Sequence, residues 1–124
     1  MTRSRPKHLN LLVIRQPIPA IVSILHRASG VLLFFFLWFF LAGLQKSLVS
    51  PETFAEVKAT MDQPLVKLLL LGLAWAYLHH FFAGLRHLAL DLRIGIELPK
   101  ARAMAWAALL ISLALTALVG ALLW

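Results

Sequence analysis

Three long apolar runs, broken by charge or proline mainly near their ends, set the pattern of this chain. The first covers about 30–49, and residues 31–44 hold no charged, amide or hydroxyl side chain. The second covers about 65–90 and is interrupted by Lys67 and a histidine-rich stretch. The third, 103–124, carries only Ser112 and Thr116 as polar residues. Each reaches the roughly 20 residues that about 30 Å of hydrocarbon requires at about 1.5 Å of rise per residue. The pattern predicts an all-α integral membrane protein with three transmembrane helices.

Proline and small polar residues punctuate the runs. Pro6 and Pro17 interrupt a basic N-terminal arm, and Pro19 sits where a helix can begin. The first span can then stay helical to about Val49, a length that implies tilt or a first turn lying at the interface. Ser50-Pro51-Glu52 reads as an N-cap, a first-position proline and a first-turn acid. It would open a short helix with Phe54, Val57 and Met61 on one side, lying flat on the outer surface. Pro64 starts the second span, and Gly95 and Pro99 bracket the turn into the third. The expected organisation is one membrane-anchor domain over residues 1–124. It comprises an arm (1–19), span one (about 20–49), an outer loop with a short helix (50–63) and span two (about 64–92). A cytoplasmic loop (93–99) and span three (about 100–124) complete it. Small residues in span three (Ala103, Ala107, Ala114, Ala117, Gly120, Ala121) suit close helix packing, though a lipid-facing Ala/Leu helix reads the same way.

Composition agrees: 61 % of the 124 residues are hydrophobic, against about 45–50 % in soluble domains. The formal net charge is +7, and its distribution argues against nucleic acid as the partner. Arg3, Arg5, Lys7, Arg15 and Arg27 precede the first apolar run, while Arg86, Arg93, Lys100 and Arg102 flank the connection between spans two and three. Lys46, Lys58 and Lys67 on the other side are offset by Glu52, Glu56 and Asp62. The positive-inside rule then places the N-terminus in the cytoplasm and the C-terminus outside. Cysteine is absent, which excludes disulfides and thiolate-held clusters in this chain. Residues 1–20 do not read as a cleaved secretory signal, and no Arg/Ser-rich transit segment is seen, which points to a bacterial protein.

Two polar clusters break the apolar pattern, and ionisable groups at membrane depth are expensive enough to mark functional sites. In the second span, His80, Gly84, His87 and Asp91 fall within about a 60° arc of one helix. His80 lies six residues, roughly 9 Å of rise, deeper than Arg86, which is expected to mark the cytoplasmic interface. An imidazole there can carry protons, ligate haem iron or simply satisfy a polar contact. Gly84 would remove bulk where a flat macrocycle lies against the helix. Arg86, His87 and the basic arm would offset propionate charge. His79 points about 100° away, so the expectation for it is a partner-facing or snorkelling side chain. In the first span, Ser23, His26, Arg27 and Gly30 share a face. Arg27 alone reads as a snorkelling cation. Together with a hydroxyl and an imidazole, it can hydrogen-bond a quinone carbonyl, stabilise the reduced anion and deliver protons.

These stretches resemble the cytochrome b membrane-anchor subunit of bacterial succinate dehydrogenase. The matching residues are Arg5-Pro6, Ser23-Ile24-Leu25-His26-Arg27-Ala28-Ser29-Gly30, and His80-x-x-x-Gly84-Leu85-Arg86-His87-x-x-x-Asp91. The likeness extends to the order of spans and the Ser50-Pro51 loop, so it covers nearly the whole chain. It implies a three-span half of a helical bundle, completed by a second three-span subunit, with one haem b sandwiched between a histidine from each. By the same resemblance His80 is the axial ligand, Ser23 and Arg27 line the ubiquinone pocket, and His26 lies near the propionates. Asp91 stands near the cytoplasmic mouth, with a role in proton uptake. An FAD subunit and an iron–sulfur subunit dock on the cytoplasmic face of the bacterial inner membrane, linking the tricarboxylic acid cycle to electron transport. No residue of this chain is singled out as catalytic beyond quinone binding. Lys7, Leu90 and Arg93 depart from the family's pattern. A fumarate reductase anchor is the nearest alternative, and a small transporter subunit a more distant one.

Overall fold

The computed structural model describes residues 13–124, so the Arg5-Pro6 pair and most of the basic arm lie outside the described residues. The described residues form four helices: α1 (Ile18–Ser47), α2 (Pro51–Met61), α3 (Pro64–Asp91) and α4 (Leu98–Leu123). Three of them, α1, α3 and α4, are long and apolar enough to cross a membrane. Proline occupies the first or second position of every helix, where its missing N–H removes no intrahelical bond. Ser50 caps α2 as expected, but Thr53 supplies the reciprocal bond of the capping box, its hydroxyl accepting the Ser50 N–H at 3.0 Å. The Ser50 hydroxyl, followed by the backbone N–H of Glu52 itself, holds the Glu52 carboxyl below the usual carboxylate range.

α3 is the central element, packed along both α1 and α4, while α2 folds back over the α1–α3 end. Val22, Ala83 and Ala105 are fully buried where α1, α3 and α4 meet, with Ile18 and Leu109 against them. Alanines at this junction let three backbones approach closely, which substitutes for the hydrophobic drive that lipid cannot supply. The outside is correspondingly greasy: Phe35, Trp38 and Phe39 are 62–73 % exposed, and hydrocarbon is the solvent that suits them.

Span three turns other small residues inward than those singled out, whose exposed side suits lipid or a partner helix equally. Ala105, Ala108 and Ser112 face inward, whereas Ala103, Ala107, Ala114, Ala117 and Ala121 are exposed. Gly120 of the stripe meets α3, where a Cβ would stand 3.3 Å from Leu71 Cδ1. With Ala and Leu on every side, sequence period carried no information about which side would turn in.

The turn from α3 to α4 explains Arg93. The Arg93 N–H donates to Leu90 O at 2.9 Å and the Ile94 N–H to Ala89 O at 2.8 Å, which is a Schellman ending. That ending requires a left-handed residue, and Arg93 takes it at φ 60°. A non-glycine residue there is strained by about 1–2 kcal/mol. Gly95 follows at φ 75° with the Met104 thioether packed against its Cα.

Candidate functional site

α3 presents two opposed faces, and the two neighbouring histidines divide between them. Leu73, Ala76, His79, Ala83 and Arg86 form the buried face of α3. Leu70, Ala74, Tyr77 and His80 form the face that meets α1 across an open groove of about 670 Å³. Gly30, Leu33, Phe34, Leu37 and Phe40 of α1 line its other wall. Gly84, His87 and Asp91 continue the His80 stripe toward the end of α3 by i, i+3 and i+4 steps. Ser23 and Arg27 continue the Gly30–Phe34–Leu37 stripe toward the start of α1 in the same way.

At the polar end of the groove, α1 and α3 bring three predicted residues into contact. The His26 ring stacks on His80 with centroids 4.2 Å apart and an interplanar angle of 12°. His87 lies 5.0 Å from His26, tilted by 52°. Nδ1 of His80 is 3.0 Å from the carbonyl oxygen of His26. A carbonyl only accepts, so Nδ1 carries the proton and Nε2 keeps its lone pair. Ligand imidazoles are ordinarily held in this way, the second ring nitrogen donating to a carbonyl or carboxylate. Ser29, which the sequence reading did not assign a role, donates to the same carbonyl at 2.9 Å and has Oγ 3.2 Å from His80 Nδ1.

Two glycines shape the cluster. A Cβ on Gly30 would stand 2.9 Å from His80 Cε1, closer than side chains tolerate, so this glycine admits the His80 ring. A Cβ on Gly84 would stand 3.5 Å from His26 Nε2. The space expected to receive a macrocycle at Gly84 is thus shared with this chain's own imidazole. The signal was present: Gly30 lies on the Ser23 face, and Ser29 is one turn from His26. Tyr77, three residues before His80 on its stripe, was also legible as groove lining.

Five positions singled out in the sequence stand apart from this centre. Arg86 is 6 % exposed and sits on the inner face with Phe82, Met104 and Ala108, turned away from His80, because six residues of helix rotate it by about −120°. It does not mark an exposed interface. Asp91 and Arg27 are exposed and Ser23 half-buried, and none hydrogen-bonds to another described residue. His79 corrects its expectation outright: it is 0 % exposed, turned inward, and stacked on Trp75 at 5.4 Å.

The donor set suits a haem rather than an all-protein metal centre. Among the described residues no group of three or more His, Cys, Asp or Glu is arranged to hold an ion. Of the three imidazoles, His26 and His80 stack face to face, and His87 is tilted by 52° to His26. One imidazole of fixed tautomer, at the head of an apolar slot, fits a macrocycle that brings four nitrogens of its own.

A family model described as the succinate dehydrogenase/fumarate reductase transmembrane subunit matches residues 1–119. The succinate dehydrogenase cytochrome b556 subunit of Coxiella burnetii is 33 % identical over 125 residues, covering 100 % of both chains. The protein of the same description from Paracoccus denitrificans is 35 % identical over 98 residues, 79 % of this chain and 75 % of its own. The succinate dehydrogenase 2 membrane subunit SdhC of Mycobacterium tuberculosis is 39 % identical over 66 residues, 53 % of this chain and 48 % of its own.

Proposed function

This chain belongs to the succinate dehydrogenase/fumarate reductase transmembrane-subunit family, and from that premise we propose that it is the haem b-binding membrane anchor of a succinate dehydrogenase. The observation that carries the haem is His80, whose Nδ1–H is committed to the His26 carbonyl at 3.0 Å and whose ring borders the groove. His80 would hold the iron through Nε2, and Leu33, Phe34, Leu37 and Tyr77 would line the macrocycle's apolar edge. Haem b, when bound, would supply a one-electron centre that equilibrates with the electrons delivered to the quinone. Gly84 keeps α3 slim beside the ligand. His26, His87 and Arg86 form the polar neighbourhood of the propionates, Arg86 through its charge rather than by contact with the cluster.

Ubiquinone is the substrate at the polar end of α1. Arg27 donates to one quinone carbonyl and holds a positive charge where the reduced oxygen becomes anionic, and Ser23 donates from one turn away. His26, His87 and Asp91 hold exchangeable protons between that oxygen and the aqueous edge. The open side of the groove is where a second three-span subunit would pack and contribute its own histidine. The FAD and iron–sulfur subunits dock at the same end, on the cytoplasmic face of the bacterial inner membrane. Charge supports this orientation: Lys46 pairs with Glu56 at 2.9 Å and Lys67 with Asp62 at 3.4 Å, so the α2 end is largely neutralised. The succinate dehydrogenase descriptions of the relatives favour this direction of reaction over a fumarate reductase.

The reduced-minus-oxidised visible spectrum of the purified complex tests the haem assignment. His80→Leu is expected to abolish the b-type bands while the complex still assembles around α1, α3 and α4. An unchanged spectrum in that variant would remove His80 as the ligand.

A further inference from the structure

One turn of α1 holds the His80 imidazole from several directions. The His26 carbonyl takes the Nδ1 proton at 3.0 Å, the His26 ring covers one face at 4.2 Å, and Gly30 admits the Cε1 edge. Ser29 adds a contact that the haem and quinone roles leave unused. It is 5 % exposed, and its Oγ gives its own proton to the His26 carbonyl at 2.9 Å. That donation leaves only lone pairs facing Nδ1 of His80 at 3.2 Å. The Nδ1–H is therefore shared between two oxygens, and the hydroxyl ties the carbonyl and the imidazole into one unit.

We propose that Ser29 is a positioning residue for His80, fixing the tautomer and plane of its ring and raising the basicity of Nε2. The inference rests on the haem reading above. A second acceptor on Nδ1–H pushes electron density toward Nε2, and a more basic axial nitrogen favours ferric over ferrous iron. The hydroxyl also locks the ring plane, because both oxygens lie on α1 and the ring on α3.

The test is a potentiometric titration of the haem in the intact complex, with the low-temperature EPR spectrum of its ferric form. Wild type, Ser29→Ala and Ser29→Thr are compared. Ser29→Ala is expected to keep full haem content and shift the ferric g values. It should also raise the ferrous-to-ferric ratio at fixed potential by about threefold to tenfold, the effect of losing one modest hydrogen bond. Ser29→Thr keeps the hydroxyl and should stay within about twofold of wild type on the same scale. Wild-type potential and g values in Ser29→Ala would overturn the proposal. An equal shift in the Ala and Thr variants would do so too, since it would make Ser29 a packing residue only. Should Ser29→Ala fail to assemble, Ser29→Cys, a weak acceptor of similar size, is read by the same criteria. Failure of the haem reading looks different: the b-type spectrum would survive His80→Leu, whatever Ser29 does.

Discussion

His79 and His80 are adjacent in sequence and live in opposite surroundings. His79 is sealed among α1, α3 and α4 beside Trp75, with neither ring nitrogen hydrogen-bonded to another described residue. His80 stands at the rim of a groove with Nδ1 held by the His26 carbonyl, which leaves the lone pair on Nε2. The 100° between successive helical residues is enough to separate a packing histidine from the one proposed to do chemistry. The inner face of α3 holds this chain together, and the groove face stays open, as the proposed second subunit requires.

The largest effect expected on the groove side belongs to Arg27. Arg27→Leu should lower succinate:quinone activity by about 10–100-fold, the weight of one or two charge-assisted hydrogen bonds. Succinate oxidation with an artificial soluble acceptor should be spared. Equal loss of both activities would place Arg27 outside the quinone site.

The next effect contrasts one substitution on the two faces. Ala83 is 0 % exposed at the three-helix junction, and Ala83→Leu should destabilise the fold by about 1–3 kcal/mol through overpacking. Ala74→Leu, on the groove wall, should leave the thermal midpoint of the detergent-solubilised complex nearly unchanged and lower its haem content instead. Similar midpoints for the two variants would erase the distinction between the faces.

The smallest effect lies at the turn. Arg93→Gly removes a left-handed arginine at φ 60° and should stabilise the chain by about 1 kcal/mol, read as a higher thermal midpoint. A lower midpoint would mean that the arginine side chain outweighs its backbone strain.

The spans and their starts were legible in sequence because hydrocarbon thickness and proline placement are local constraints. Ser50 at the α2 cap and the His80–Gly84–His87–Asp91 stripe were legible for the same reason. The orientation of each helix about its axis was not. In a water-soluble protein the polar side of a helix points out, but Leu, Phe and Ala serve equally against lipid and against another helix. Hence the inward turn of His79, Arg86 and Ser112, and the outward turn of Ala107 and Ala114, were hidden. The Ser29 and Gly30 contacts with His80 were hidden too, since they depend on how close α1 comes to α3.

The most direct test sets the two histidines side by side. Reduced-minus-oxidised spectra of His79→Leu and His80→Leu complexes, normalised to protein, separate the faces of α3. Leucine is close to histidine in volume and position 79 does not face the groove, so His79→Leu should keep the b-type bands. His80→Leu should lose them. Loss in the His79 variant with retention in the His80 variant would contradict the account.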